Sequence, residues 1–503
     1  MKITFASFLL VLLSKYSHQQ CLSQEDDNKS RNPLGRERLY TGQQEFSLAL
    51  LQAINQLMPH ENLFFSPYST YHALLIAYFL AGGQTESYLK KILRLEPSQN
   101  KPDFYQAYKL DKLQTLTANR KSSHQFTNAN KIYVADQIDV RSCIESLFKD
   151  ELEKISFKND PQAARNLINT WVEEHTEKMI KDLLPPGSID QSSTLVLVNA
   201  AYFNGTWENK FNPNETRPEI FYVSPSKQIM VDMMHVEGTF NHDVSESLEA
   251  HILEMPYTGN NISMYILLPP FTKEDAIDNT LKKLTLEKFQ SIVNSGSLTS
   301  KTVQVSFPKF SLEHTVELVP ILESLGVGNL FKKDADFSKL SSNPEVSVGR
   351  GIHKARIVIN EQGAHAAAAT ALFTWRMMGD DDDNPIEFKC NRPFVFLIYN
   401  KNTHTILFTG VLEKMGVGDL FQNGADFTTF TKSKVELGNA LHKARIECNE
   451  EGTKAAAATV LFSFRSSRPA EPAQFHCNHP FIYVIYDKVA KAVLFTGVFR
   501  RPV

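Results

Sequence analysis

Cysteine is scarce, neither sign of charge dominates, and no apolar run is long enough to cross a membrane. Each absence removes a class of protein. Five cysteines in 503 residues, none in a CxxC pair, exclude a small disulfide-dense scaffold and a zinc ribbon. Lys+Arg 53 against Asp+Glu 56 leaves a net charge of −3, which argues against an overall basic nucleic-acid binder. No run reaches the ~18 apolar residues of a membrane span. Enzyme motifs are missing too: there is no GxSxG elbow, HExxH helix or phosphate loop. Gly326-x-Gly328 and Gly416-x-Gly418 lack the third glycine of a dinucleotide loop, and Asp380–Asp383 lacks the spaced ligands of a calcium loop. No enzyme activity, cofactor or metal is therefore expected. What is present is core material: 34 Phe, 16 Tyr and 42% hydrophobic residues, enough to exclude a disordered chain.

Lys2 is followed by an apolar run from Ile3 to Leu13 and then by polar sequence. That pattern predicts a secretory leader over residues 1–23, cut after Ser23. Such a cut removes Cys21 and leaves Cys143, Cys390, Cys448 and Cys477, so no disulfide framework is expected. Sequons stand at Asn28, Asn204, Asn214 and Asn261, candidate glycan sites in a secreted chain. Lys90, Lys91 and Arg94 are too thin a patch for a glycosaminoglycan and read as a solvated face.

The last third of the chain repeats once. LGVGNLFKKDADFS from Leu325 returns as MGVGDLFQNGADFT from Met415, and HKARI at His353 returns at His442. CNRPFVFLIYN at Cys390 returns as CNHPFIYVIYD at Cys477, and LFTGV closes both copies. Two copies do not make a solenoid. One body with its first module (24–414) is followed by a second module (415–503). No Gly/Pro/Ser-rich linker separates them, which reads as two interchangeable cassettes joined to one upstream body.

Helices are expected over Phe46–Leu57, after the Ser66-Pro67 cap as far as Gly82-Gly83, and after Asp160-Pro161. The last should bury Ala164, Leu167, Ile168, Trp171, His175 and Met179. Strands are expected over Leu195–Phe203, Ile252–Met255, Ser263–Leu268, Thr302–Pro308, Phe394–Tyr399, Ile406–Val411, Phe481–Tyr486 and Val493–Phe499. Helices first and antiparallel strands later give an α+β class. The odd segment is Glu361-Gln362-Gly363-Ala364-His365 with Ala366–Ala369, and its twin from Glu450 to Ala458. An alanine run suits a helix, but strand-like Arg356–Asn360 precedes it, and glycine supplies a hinge. Small side chains would let such a segment slip between packed strands.

At this point the chain resembles the serpins, over essentially its whole length after the leader. NLFFSPYSTYHALLIAYFLAGGQTE, VNAAYFNGTW, HKARIECNEEGTKAAAAT, CNRPFVFLIY and ILFTGV occur in the family's order. The resemblance implies three β-sheets, about eight or nine helices and an exposed reactive loop. It also implies a monomeric, secreted suicide substrate of serine proteases, whose cut loop inserts into the large sheet. A carrier or storage role is the alternative within the family. Residue by residue, Ser66, Ser69, Asn199 and His353 or His442 match the polar cluster beneath the opening point of the sheet. Trp207 and Lys309 match the place where the loop enters. Glu361, Gly363 and Ala364, or Glu450, Gly452 and Thr453, match the hinge. The scissile bond falls at Arg465-Ser466 in the second copy, and at Arg376-Met377 or Met377-Met378 in the first. Arginine there favours a trypsin-like target, methionine an elastase-like or chymotrypsin-like one.

Overall fold

Ser66 caps a helix over Pro67–Leu80, its side-chain oxygen accepting a hydrogen bond from the Ser69 N–H. Proline's fixed φ suits the first turn, and the cap fills an orphan donor there. Every residue of this helix is buried, so it runs through the core rather than over it. The computed structural model describes residues 21–22, 35–121, 125–271, 275–294, 298–332, 334–342, 346–364, 385–415, 446–449, 452–455, 481–487 and 492–499. The chain divides into two units, residues 1–438 and 439–503.

In the first unit, helices among the described residues also cover Gly35–Leu57, Gly83–Ile92, Lys101–Lys121, Ser142–Leu147, Pro161–His175, Ala276–Lys283, Leu286–Val293 and Leu318–Ser324. The Pro161–His175 helix starts as its sequence says, with Asp160 accepting from the Ala163 N–H. Its buried residues are Ala164, Ile168, Asn169 and Val172, while Leu167 is 45% exposed and Met179 lies past the helix end. The expected stripe was too wide: Leu167 sits ~100° around the helix from Ile168, off the packed face.

The strands of this unit are β1 (Leu63–Phe65), β2 (Gln125–Ala135), β3 (Leu152–Ile155), β4 (Leu195–Thr206), β5 (Arg217–Ser224), β6 (Lys227–Ser245), β7 (Ala250–Pro256) and β8 (Ile262–Leu268). They continue with β9 (Thr299–Pro308), β10 (Phe310–Glu317), β11 (Val348–Asn360), β12 (Gly363–Ala364), β13 (Ile386–Lys389), β14 (Phe394–Asn400) and β15 (Thr405–Leu412). One sheet runs β1-β15-β14-β8-β7-β6-β9-β13, with β5 on β6; the other runs β10-β11-β12-β4-β2-β3. Two of the three expected sheets are joined through the long strand β6, which pairs β5 near one end and β7 at the other. Strands β8 and β15 are buried along their whole length, and such strands read as unbroken apolar runs, easy to see in a sequence. Strand β6 alternates with many polar residues and was not expected.

In the second unit the described residues form β16 (Ile446–Asn449) paired with β17 (Gly452–Ala455), and β18 (Phe481–Asp487) paired with β19 (Ala492–Phe499).

One expectation is corrected. Cys21 is bonded to Cys143, with Cα atoms 6.0 Å apart across a separation of 122 residues. Cys21 and Leu22 are both buried, so a cut after Ser23 would remove a packed, cross-linked segment. Sequence spacing gives no hint of a pair so far apart. Of the remaining cysteines, Cys390 is free and buried, and burial pushes its thiol far above the usual range.

Candidate functional site

Strands β4 and β11 lie side by side and parallel, from Leu195 beside Val348 to Tyr202 beside Arg356. Beyond that point β12 lies between them. Gly363 and Ala364 pair antiparallel with Asn360 and Ile359 of β11 on one side, and with Thr206 and Gly205 of β4 on the other. The turn that reverses the chain is closed by Asn360, whose Oδ1 accepts from the N–H groups of Gln362 (3.0 Å) and Gly363 (3.2 Å). Gly363 has φ +146°, and a β-carbon there would overlap the Gly205 carbonyl oxygen and come within 2.8 Å of the Thr206 Cα. Only glycine fits this close approach of two backbones.

The mouth of this seam is fastened by side chains. Trp207 is buried against Tyr257, the rings nearly parallel with centroids 4.5 Å apart. Its indole Nε1–H donates to the Asn360 carbonyl (3.2 Å), and its backbone N–H donates to the Gln362 carbonyl (2.8 Å). Lys309 lies 3.2 Å from both carboxylate oxygens of Glu361, and the Thr216 hydroxyl donates to the same group at 2.9 Å. Burial disfavours the charged form of Glu361. Hydrogen bonds from its own backbone, from Thr216 and from Lys309 outweigh that and hold the carboxyl below the usual range.

Deeper along the seam sits a polar cluster. His353 of β11 and Asn199 of β4 are register partners, and both are fully buried. The His353 Nε2 accepts from the Ser66 N–H at 2.9 Å, so Nδ1 carries the proton and donates to the Asn199 Oδ1. The Asn199 amide then donates to the Ser69 hydroxyl (2.8 Å) and to Asn130 (2.7 Å), and Ser69 donates to Asn128 (2.6 Å). Ser66 completes the set by donating to the Leu407 carbonyl of β15 at 2.7 Å. The side chains of Ser66, Ser69, Asn199 and His353 thus all find partners, the condition for keeping buried polar groups. Burial, aided by the neighbouring His314, pushes the imidazole of His353 down to about 3 and keeps it neutral.

The structure thus brings together Ser66, Ser69, Asn199 and His353, and separately Trp207, Lys309, Glu361, Gly363 and Ala364. Gly452 and Thr453 lie in β17, opposite Asn449 and Cys448. Arg376, Met377, Met378, Arg465, Ser466, His442 and Glu450 lie outside the described residues, as does Asn28. Asn214 is exposed, whereas Asn204 is half-buried within β4 and Asn261 half-buried beside β8. Lys90 donates to the Pro97 and Gln99 carbonyls, and Arg94 lies near Glu45; both cations are already engaged. Asn128, Asn130, Thr216 and Tyr257 escaped sequence reasoning. The only signal for the first two was their period-2 spacing on one strand face.

The comparisons with known proteins agree with this geometry. The family model "Serpin (serine protease inhibitor)" matches residues 41–412 and again residues 409–502. Serine protease inhibitor 88Ea of Drosophila melanogaster is 38% identical over 392 residues, covering 75% of this chain and 90% of the relative. The leukocyte elastase inhibitor of Equus caballus is 32% identical over 382 residues, covering 74% and 98%. Among solved structures, Serpin48, titled a highly specific serpin in the insect Tenebrio molitor, superposes with a TM-score of 0.65 at 26% identity, covering 76% of this chain and 99% of that one. Matched along most of its length by the family model and by relatives that span nearly all of theirs, the chain belongs to the serpin family of serine protease inhibitors.

Proposed function

We propose that this protein is a secreted inhibitor of trypsin-like serine proteases that traps its target by strand insertion. The protease serine attacks the carbonyl carbon of the scissile residue. The amide C–N bond breaks, and the new amine leaves with the C-terminal part of the inhibitor. The N-terminal part stays esterified to the protease. The hinge then continues the path that β12 begins, entering between β4 and β11 before water completes hydrolysis. The observation that supports this reading is the double antiparallel pairing of Gly363–Ala364. Each further residue drawn in would exchange part of a parallel ladder for two antiparallel ones, and the parallel ladder is the slightly weaker of the two.

The side chains have defined parts in this reading. Trp207, Lys309 and Glu361 hold the start of the hinge at the mouth. Ser66, Ser69, Asn199 and His353 bridge β4 to β11 and must let go as the seam opens. Arg465 of the second copy, and Arg376, Met377 or Met378 of the first, supply the residue that enters the specificity pocket. An arginine guanidinium pairs with an acidic pocket floor. Secretion fits the Cys21–Cys143 bond, which needs an oxidising compartment. The leader cut then lies N-terminal to Cys21.

Incubation with trypsin, chymotrypsin and elastase tests the proposal, scored as complexes that survive denaturation on a gel. A complex with trypsin is expected. Arg465→Ala and Arg376→Ala, singly and together, assign the scissile bond; undiminished trypsin complex in the double variant would refute an arginine-directed reaction. Ala456→Arg or Ala458→Arg, and Ala366→Arg in the first copy, should turn the inhibitor into a substrate that is cut and released. Trapping at full stoichiometry by all three would sink the insertion mechanism.

A further inference from the structure

The two copies of the C-terminal module share more than sequence. In the first unit β14 and β15 pair from Phe394 opposite Leu412 to Asn400 opposite Thr405, with one irregularity between Ile398 and Tyr399. In the second unit β18 and β19 pair from Phe481 opposite Phe499 to Asp487 opposite Ala492, with the irregularity between Ile485 and Tyr486. These positions correspond one for one, 87 residues apart, as do Cys390 and Cys477. The hinge hairpins agree as well. Asn360 faces Gly363 and Ile359 faces Ala364 in one; Asn449 faces Gly452 and Cys448 faces Thr453 in the other.

Among the described residues the body offers one seat for these hairpins. Strand β14 lies between β8 and β15, and β15 pairs onward with β1. Residues Phe394 to Tyr399 and all of β15 are buried there. The seat makes a sharp demand at Gly410: a β-carbon would overlap the Phe396 ring and come within 2.8 Å of the Leu63 carbonyl oxygen of β1. The second copy keeps glycine at that place, Gly497, opposite Tyr483 as Gly410 is opposite Phe396. Phe394, Ile398 and Tyr399 return as Phe481, Ile485 and Tyr486. On the hinge strand the one gained charge, Glu447, takes the place of Val358, which is partly exposed in β11. The copies keep glycine at the strictest position and the same strand register, while buried Ile359, Phe396 and Thr405 return as Cys448, Tyr483 and Ala492.

We infer that residues 415–503 are an alternative occupant of the seat that residues 325–414 hold, so that one body serves two reactive segments. When the second copy is seated, the first becomes a long loop between Ser324 and Met415. Loop closure rises only slowly with length, so the exchange is allowed within a single chain. The purpose assigned to the exchange rests on the inhibitor reading; the exchange itself does not.

The test uses the full chain and two glycines. Gly410→Val should evict the first copy, and Gly497→Val should disqualify the second. Limited proteolysis, with the cuts mapped by mass spectrometry, reads which copy is seated. In the parent and in Gly497→Val, cuts are expected within 415–503. In Gly410→Val they should move into 325–414 while a cooperative thermal transition remains. The double variant should lose that transition. Cuts that stay within 415–503 in Gly410→Val overturn the inference, whether or not that variant stays folded. Failure to trap any protease in the parent would instead sink the inhibitor reading and leave the mapped cuts to decide the exchange.

Discussion

The two parts of the β4–β11 seam are closed by different physics. Near its mouth the strands are spread by β12, and the contacts that hold them are partly open to water: the Lys309 side chain is 45% exposed. Around His353 and Asn199 the strands touch directly, and Ser66, Ser69, Asn199 and His353, which join them, are buried and hydrogen-bonded. At the mouth the Lys309–Glu361 pair is open to water on its lysine side, which weakens it, while Trp207 is buried. The cluster is costly to break, because each separated group would be a buried polar atom without a partner. In the proposed insertion, an opening would start at the mouth and meet its main resistance at the cluster.

The comparison can be broken most severely at the mouth. Gly363→Val should cost on the order of 3 kcal/mol or more, because its backbone overlap can be relieved only by expelling β12. Hydrogen exchange of the Gly205 and Thr206 amides should rise; unchanged protection would refute the close backbone fit. Asn199→Ala should cost about 2–3 kcal/mol by stranding the His353 Nδ1–H and the Ser69 hydroxyl. Its melting temperature should fall well below that of the parent, and heating should yield the inserted form sooner.

Acid probes the same cluster without mutation. The His353 imidazole titrates at about 3 in the folded chain and near its ordinary 6.5 when unfolded. The unfolded state therefore binds the extra proton first as pH drops. The stability from neutral His353 is complete above about 6.5 and declines as pH falls towards 3, by up to ~1.4 kcal/mol per pH unit. His314, depressed chiefly by burial, acts in the same direction. Melting curves from pH 7 to 4 on the parent and on His353→Gln should differ in slope, the variant being flatter. Parallel curves would place the proton elsewhere. The smallest effect is expected from Lys309→Met, about 0.5–1 kcal/mol, given its exposure. A larger loss would mean that the mouth, not the cluster, is the main fastening.

Much of this was legible before any fold was known. The Ser66-Pro67 cap and the apolar runs of β8, β14 and β15 are local patterns that report helix starts and burial directly. Arg356–Asn360 is a strand as its alternation predicted, and after a turn the chain pairs back on it as β12. Strand β6 was missed because its exposed face interrupts the apolar pattern. Asn128 and Asn130 were missed because a polar residue on a strand signals solvent unless its partners are known.

By itself the sequence determined the class and the duplicated module, since these depend on residue type and spacing along the chain. Tertiary structure alone decided the rest. It brought Cys21 to Cys143 across 122 residues, and it set His353 beside Asn199 and in hydrogen-bonding reach of Ser66. It also placed Gly363 against Gly205, where no side chain fits. Those are meetings between distant segments, fixed by sheet register and the packing of the core, and no local propensity encodes them.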